Sequence, residues 1–245
     1  VLTATALQGI PEVEPGDDLP ALLAGTELRH GDVLVLAHKI VSKAEGRLRR
    51  LSDVHPTPRA NQLAQEHGKD PRHVQVVLDE SAELIRASRG VIITVTHHGF
   101  VCANAGVDAS NAPGEESVVL LPRDPDGSAR AIRNRLRELT GAAPAVLITD
   151  SFGRAWRHGQ CDVAIGCAGL SPLEDWRGRR DATGRELKAT WIAVADELAG
   201  AADLARTKDG SQPAVLVRGA ERHVTRDDGP GIAAMIRPRD EDLFR

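Results

Sequence analysis

Two aspartates stand where carboxylates could do chemistry. Asp108 lies in "NAGVDASN" (104–111), among small residues and amides, and Asp150 closes the apolar run "AVLITD", with Ser151 directly after it. Neither loop has the bulk to build a core. An aspartate in such a place can make an Asx-turn or a cap. The other option is a hard divalent cation, which takes oxygen ligands. Two acids delivered by apolar strands, with a hydroxyl beside one of them, suit a metal shared with phosphate oxygens. Arg154 and Arg157 follow the second acid closely. A guanidinium fork matches carboxylate and phosphate oxygens, so these two are the candidates for an anionic substrate. Arg177, Arg179, Arg180, Arg185 and Lys188 continue the basic density; Arg179 and Arg180 read as a solvated face. Lys39, Lys43 and Arg47 in "HKIVSKAEGR" follow an apolar run. A lysine there can grip a phosphate, but residue type alone makes all three surface residues.

Other chemistry finds less support. There is no GxxxxGK[ST], GxGxxG or HExxH pattern, so a nucleotide would not be held by a P-loop. His97 and His98 fall in a hairpin turn without evident metal partners. Cys161 and Cys167 lie in or beside an apolar run and read as core, which leaves no Cys/His nucleophile pair.

These residues need elements to hold them. "VEPGDDLPALLAG" reads as a turn, an Asp cap and a short helix ended by Gly25, and "DVLVLAHKIVSK" as a buried strand that turns polar at His38. "PTPRANQLAQEHG" is a helix stopped by Gly68; "DPRHVQVVLDESAELIR" is a helix capped by Asp70 with Pro71 in its first turn. "GVIITVTHHGFVCANAG" is a hairpin whose second strand leads to Asp108. "DPDGSARAIRNRLRELTG" is a helix with Ile132, Leu136 and Leu139 on one face and Gly141 as its stop. "AVLITD" is a strand ending on Asp150, followed by a glycine turn; "VAIGCAGL" and "PAVLVRG" are further core strands. "GRELKATWIAVADELAGAADLA" starts as strand and ends as helix, and the tail "GPGIAAMIRPRDEDLF" holds one short helix at most. Strands and helices without strict alternation predict an α+β fold. No linker cuts the chain, so residues 1–245 read as a single domain.

Composition sets the outer bounds. The 245 residues are 41% hydrophobic and 27% charged, which is globular; aromatics are only 2%, so Ala, Val, Leu and Ile must build the core. A net charge of -4 and a pI near 6.2 argue against a nucleic-acid partner. Three cysteines with no CxxC pair fit a reducing cytoplasm. "VLTATALQGI" has no signal-peptide pattern, and no apolar run approaches the ~20 residues of a membrane span.

In order from near the start to about residue 219, "GIPEV", "GDVLVLAHKIVSKAEGR", "NAGVDASN", "LLPRDPDGSA", "ITDSFGRAWRHGQ", "AIGCAGL", "DATGREL", "AVADELAGAADL" and "PAVLVRG" resemble the coenzyme F-420-0:L-glutamate ligase family, the γ-glutamyl ligases of the deazaflavin cofactor. The resemblance implies a family-specific α+β ligase fold with mixed sheets and flanking helices and an intertwined homodimer; some relatives carry a further C-terminal reductase-like domain, for which 245 residues leave no room. It implies a GTP-dependent enzyme that needs Mg²⁺ or Mn²⁺ and adds L-glutamate to the phospholactyl, or a related, end of coenzyme F-420-0, then extends the γ-linked tail through an acyl phosphate.

Carried over position by position, the resemblance makes Asp108 and Asp150 ligands of one metal and catalytic, and Ser151 and Thr207 ligands of a second. Relatives often have Thr at Ser151, archaeal ones Gln or Glu at Thr207, and a small hydroxyl residue is common at His38. It makes Ile10, Pro11, Glu12, Val13, His38, Lys39, Lys43 and Asn111 nucleotide contacts, together with the loop Ala205, Arg206, Thr207, Lys208, Asp209, Gly210, Ser211 and Gln212. Two other functions fit the residues: a metal-dependent phosphotransferase or hydrolase acting on a small phosphorylated metabolite, and a non-catalytic deazaflavin-binding module.

Overall fold

The computed structural model describes residues 1–114, 116–207 and 209–242. Strand β1 (Thr3–Ala6) is followed by α1 (Leu19–Leu23), β2 (Val33–Ala37), α2 (His38–Ala44) and β3 (Leu48–Arg50). Helices α3 (Pro58–His67) and α4 (Pro71–Asp79) lead to strands β4 (Ser81–Ser88), β5 (Val91–Thr96), β6 (Val101–Ala103) and β7 (Ser117–Val119). Helix α5 (Pro125–Thr140) precedes the long strands β8 (Ala145–Arg154) and β9 (Arg157–Ala168). Short strands β10 (Glu174–Asp175) and β11 (Trp191–Ile192), helix α6 (Val194–Ala205) and strand β12 (Ala214–Arg218) complete the chain, with short 3-10 turns after β12.

The central sheet has the order β1-β12-β2-β8-β9, with β2 and β8 parallel and every other pair antiparallel. Val33 to Leu36 and Ala145 to Ile148 are fully buried, because strands in the middle of a sheet covered on both faces carry continuous apolar runs. Helices α5 and α6 pack on this sheet and share its core with α1. Strand β9 is an edge, and carboxylates from these helices cap its free amides: Asp196 accepts from Ala164 N at 2.9 Å and Asp126 from Cys167 N at 2.8 Å. That satisfies groups that would otherwise invite another strand. A second apolar cluster joins α3, α4, Ile92, Val107 and Val118 beneath the β4-β5-β6 sheet.

The α+β reading holds, and several local signals act as read. Gly68 ends α3 at φ 64°, Asp70 caps α4 and Gly141 ends α5 at φ 75°; the structure adds Thr57 and Asp124 as caps of α3 and α5, which the sequence reading did not name. Positive φ costs glycine little. The β5–β6 hairpin forms with His97 and His98 in its turn.

Other boundaries differ. α1 ends on Ala24 rather than Gly25. α4 stops at Asp79, and "SAELIRAS" is strand β4, paired along β5; cross-strand pairing overrides the helix propensity of Ala, Glu and Leu. β8 does not end at Asp150 but runs on to Arg154, and its turn is at Ala155–Trp156 rather than at Gly153. On α5, Ile132 and Leu136 are buried but Leu139 is 40% exposed. Cys167 is buried, whereas Cys161 is half-buried. The tail makes two 3-10 turns, Ile232–Met235 and Arg239–Glu241. Among the described residues, no helix is long and apolar enough to cross a membrane.

Candidate active site

The parallel register of β2 on β8 pairs Ala37 with Thr149, so the first residue of α2, His38, arrives beside Asp150. β12 pairs Ala214 with Leu36, and Ala37 N donates to Pro213 O at 2.8 Å, so the loop before β12 closes over the same strand ends. Between them opens a cavity of about 730 Å³ whose wall includes Asp108, Asp150 and Ser151 together. That is the size of a small-molecule site.

Asp108 reaches the cavity from the second cluster. Its backbone exchanges hydrogen bonds with Val119, at 3.1 Å and 2.8 Å, and Val119 pairs with Leu48 of β3. The preceding turn needs small residues: Asn104, Ala105 and Gly106 all have positive φ, and a Cβ on Gly106 would lie 2.7 Å from the Leu121 side chain. Oδ1 of Asp108 accepts from Ser110 N at 2.7 Å, which is an Asx-turn; Oδ2 accepts from Ser110 Oγ at 2.8 Å and lies 2.7 Å from Lys39 Nζ. The turn-forming role and the place on the cavity wall therefore coexist. Burial pushes the Asp108 carboxyl up, but the Lys39 ammonium and the Ser110 N–H and hydroxyl outweigh it and hold it below the ordinary aspartate range.

Helix α2 supplies the nearest cations. The stretch read as polar chain after a strand is a helix, and Lys43 on it is 5% exposed, not a surface residue. Its ammonium pairs with Glu12, whose side chain is largely exposed. His38 is 1% exposed; Nδ1 lies 3.3 Å from Ser42 Oγ, and Nε2, 3.4 Å from Asp150 Oδ1, makes no hydrogen bond. Asp150 Oδ1 accepts from Ser151 N at 2.8 Å.

Beneath Ser151 lies a buried polar network. The β8–β9 register sets Ser151 opposite Asp162, which is 1% exposed. Ser151 Oγ donates to Asp162 Oδ1 at 2.6 Å, Thr149 Oγ1 donates to Oδ2 at 2.8 Å, and the Arg206 guanidinium pairs with the same Oδ2. Arg206 Nη1 is buried with no hydrogen-bond partner.

The F420-0:Gamma-glutamyl ligase family model matches residues 9–219. The chain belongs to this family. It is 45% identical to the "Coenzyme F420:L-glutamate ligase" of Methanothermobacter thermautotrophicus, over all of this chain and 99% of that protein. It is 50% identical to the protein of the same name from Methanopyrus kandleri, over 96% of this chain and 94% of that protein, and 44% identical to that of Haloarcula marismortui, over 98% and 94%.

The site residues expected from the sequence fall into three groups. Ile10, Pro11, Glu12, Val13, His38, Lys39, Lys43, Asn111, Arg206, Thr207, Asp209, Ser211 and Gln212 line the cavity with the two aspartates and Ser151. Ala205 ends α6, and it and Gly210 belong to the same loop region without forming its wall; Lys208 lies outside the described residues. Arg154 and Arg157, in contrast, pair across the exposed tip of the β8–β9 hairpin, where Arg154 Nη2 donates to His158 O at 2.7 Å, and they do not reach this cavity.

Sequence reading missed Thr149, Gln160 and Asp162, which also line the site. "QCDVA" carries no signal by itself; only a paired β8–β9 hairpin, with alternate residues on one face, could have set Asp162 under Ser151. Cys102 is near Asp150, yet burial, with the Asp150 charge adding, pushes its thiol up to about 12, so it offers no thiolate.

The donor set fits a hard cation shared with a ligand. Among the described residues no three His, Cys, Asp or Glu side chains cluster as a metal cage. Two carboxylates and a hydroxyl lining the same cavity leave the rest of a shell to phosphate and water, the usual arrangement for Mg²⁺ in nucleotide enzymes.

Proposed function

We propose that this chain joins the α-amine of L-glutamate to the terminal carboxylate of coenzyme F-420-0 and then lengthens the γ-linked tail, at the expense of GTP. Family membership over most of the chain supports the ligase assignment. The observation that carries the site assignment is that Asp108, Asp150 and Ser151, from distant chain segments, line a single cavity together with Lys39, Lys43 and Arg206.

Charge supports a metal nucleotide as the occupant. Among the described residues lining the cavity, five are acids (Glu12, Asp108, Asp150, Asp162, Asp209) and three are Lys or Arg (Lys39, Lys43, Arg206). A bare triphosphate would be repelled by that balance. Mg²⁺ or Mn²⁺ ions, one held by Asp108 and Asp150 and a second by the Ser151 and Thr207 hydroxyls, would offset the phosphate charge and polarise its oxygens.

In the reaction, the acceptor carboxylate attacks the γ-phosphorus of GTP. An acyl phosphate forms and GDP leaves. The glutamate amine then attacks the acyl carbon, loses a proton and expels phosphate. Lys39, Lys43 and the unpartnered Nη1 of Arg206 meet negative charge gathering on phosphoryl oxygens, as positioned cations do in phosphoryl transfer. Arg154 and Arg157 lie outside this cavity, and the family resemblance implies a homodimer. Light scattering tests that assembly.

The decisive experiment is mass spectrometry of the products made from purified acceptor, L-glutamate, GTP and Mn²⁺. One or more added glutamyl groups, with one GDP formed per amide bond, are expected. Steady GTP cleavage without glutamate would instead favour a phosphotransferase or hydrolase. Tight metal-independent deazaflavin binding without turnover would favour a binding module.

A further inference from the structure

The geometry points to Asp162 as a positioning residue that fixes the Ser151 hydroxyl as an acceptor toward the metal nucleotide, an inference that rests on the function proposed above. Asp162 lines the cavity and is only 1% exposed. Its Oδ1 takes the Ser151 hydroxyl hydrogen at 2.6 Å. A hydroxyl has one hydrogen and two acceptor lone pairs. With its hydrogen committed to the carboxylate, the Ser151 oxygen can only accept from, or ligate, anything else. That polarity suits a cation and opposes a phosphate oxygen.

The other carboxylate oxygen is held in place from two sides. Thr149 Oγ1 donates to Oδ2 at 2.8 Å, and Arg206 pairs with Oδ2 while its Nη2 also lies 3.2 Å from Thr149 Oγ1. The carboxylate therefore cannot swing away from Ser151 without breaking several charge-assisted contacts. The pairing also draws the Arg206 guanidinium to the cavity wall with Nη1 unpartnered. Asp162 thereby fixes the polarity of the Ser151 hydroxyl toward the metal. Partners of this kind behind metal ligands typically change affinity ~10–100-fold when removed.

The test is Mn²⁺ uptake by the full chain with GTP, followed by the electron paramagnetic resonance signal of free Mn²⁺, in Asp162→Asn, Ser151→Ala and the double variant. Asp162→Asn is expected to weaken uptake ~10–100-fold. The double variant should bind no more weakly than Ser151→Ala alone, because Asp162 acts through that hydroxyl. A merely structural role would instead multiply the two losses, and that result, or wild-type affinity in Asp162→Asn, would overturn the assignment. Asp162→Ser, read the same way, covers failure of the asparagine variant to fold. Wild-type protein that takes up no Mn²⁺ with GTP overturns the metal-nucleotide reading itself. Wild-type protein that binds and forms amide while the losses multiply overturns only the role of Asp162.

Discussion

Lys39 Nζ lies 2.7 Å from Oδ2 of Asp108, tying the start of α2 to the turn after β6 across the mouth of the cavity. The contact joins the two apolar clusters of the molecule at the place where the nucleotide is proposed to bind. It also makes the Asp108 carboxyl more acidic than usual. A carboxyl whose pKa is lowered by folding stabilises the protein above its unfolded pKa of ~3.9, and that contribution is lost as pH falls through the lower folded value. In metal-free protein, Asp108→Asn should therefore unfold with a shallower pH dependence below about pH 4, measured by urea titration at a series of pH values. Identical slopes would mean that Asp108 gains nothing from Lys39.

Asp150→Asn keeps the shape of the side chain but removes its charge. Amide formation should fall at least ~100-fold, the usual scale for losing a charge stabiliser at a phosphoryl centre. Circular dichroism and melting temperature should stay near wild type, since Asp150 sits on the cavity wall rather than in the core. Full activity in this variant would remove Asp150 from the mechanism.

Lys43 and Glu12 form an unequal pair, one ammonium buried and one carboxylate largely exposed. Glu12→Ala strands a buried charge, whereas Lys43→Met returns Glu12 to water. Glu12→Ala should be the more destabilising of the two by ~1–3 kcal/mol, read from urea midpoints. Lys43→Met should raise the KM for GTP, which initial rates will show.

Leu136 and Leu139 share a helix but not an environment: one is fully buried and the other 40% exposed. Leu136→Ala should cost ~2–5 kcal/mol and Leu139→Ala no more than ~0.5 kcal/mol. Equal losses by chemical denaturation would contradict the packing of α5.

Gly166 on β9 has no room for a side chain, because a Cβ there would lie 2.5 Å from the Pro125 carbonyl at the start of α5. Gly166→Ala should cost ~1–3 kcal/mol through displacement of that helix end, seen as a lower melting temperature.

What the sequence by itself determined is local. Asp70 announced a helix start, Gly68 and Gly141 announced stops, and the apolar runs at Val33–Leu36 and Ala145–Ile148 announced buried strands. These signals act within a turn or two of chain, so they survive without a fold around them. Asp108, Asp150 and Ser151 were legible as a possible metal set because two acids, one with a hydroxyl beside it, each follow an apolar strand, although each acid alone reads as readily as a turn or cap residue. Tertiary structure alone decided that β8 continues past Asp150, that Lys43 is buried, that Arg154 and Arg157 stay outside the cavity, and that Asp162 lies beneath Ser151. Each depends on which strand pairs with which and in what register. A one-residue slip in β9 would turn Asp162 to the other face. Register is settled by burial summed over the whole sheet, and no short stretch of chain contains it.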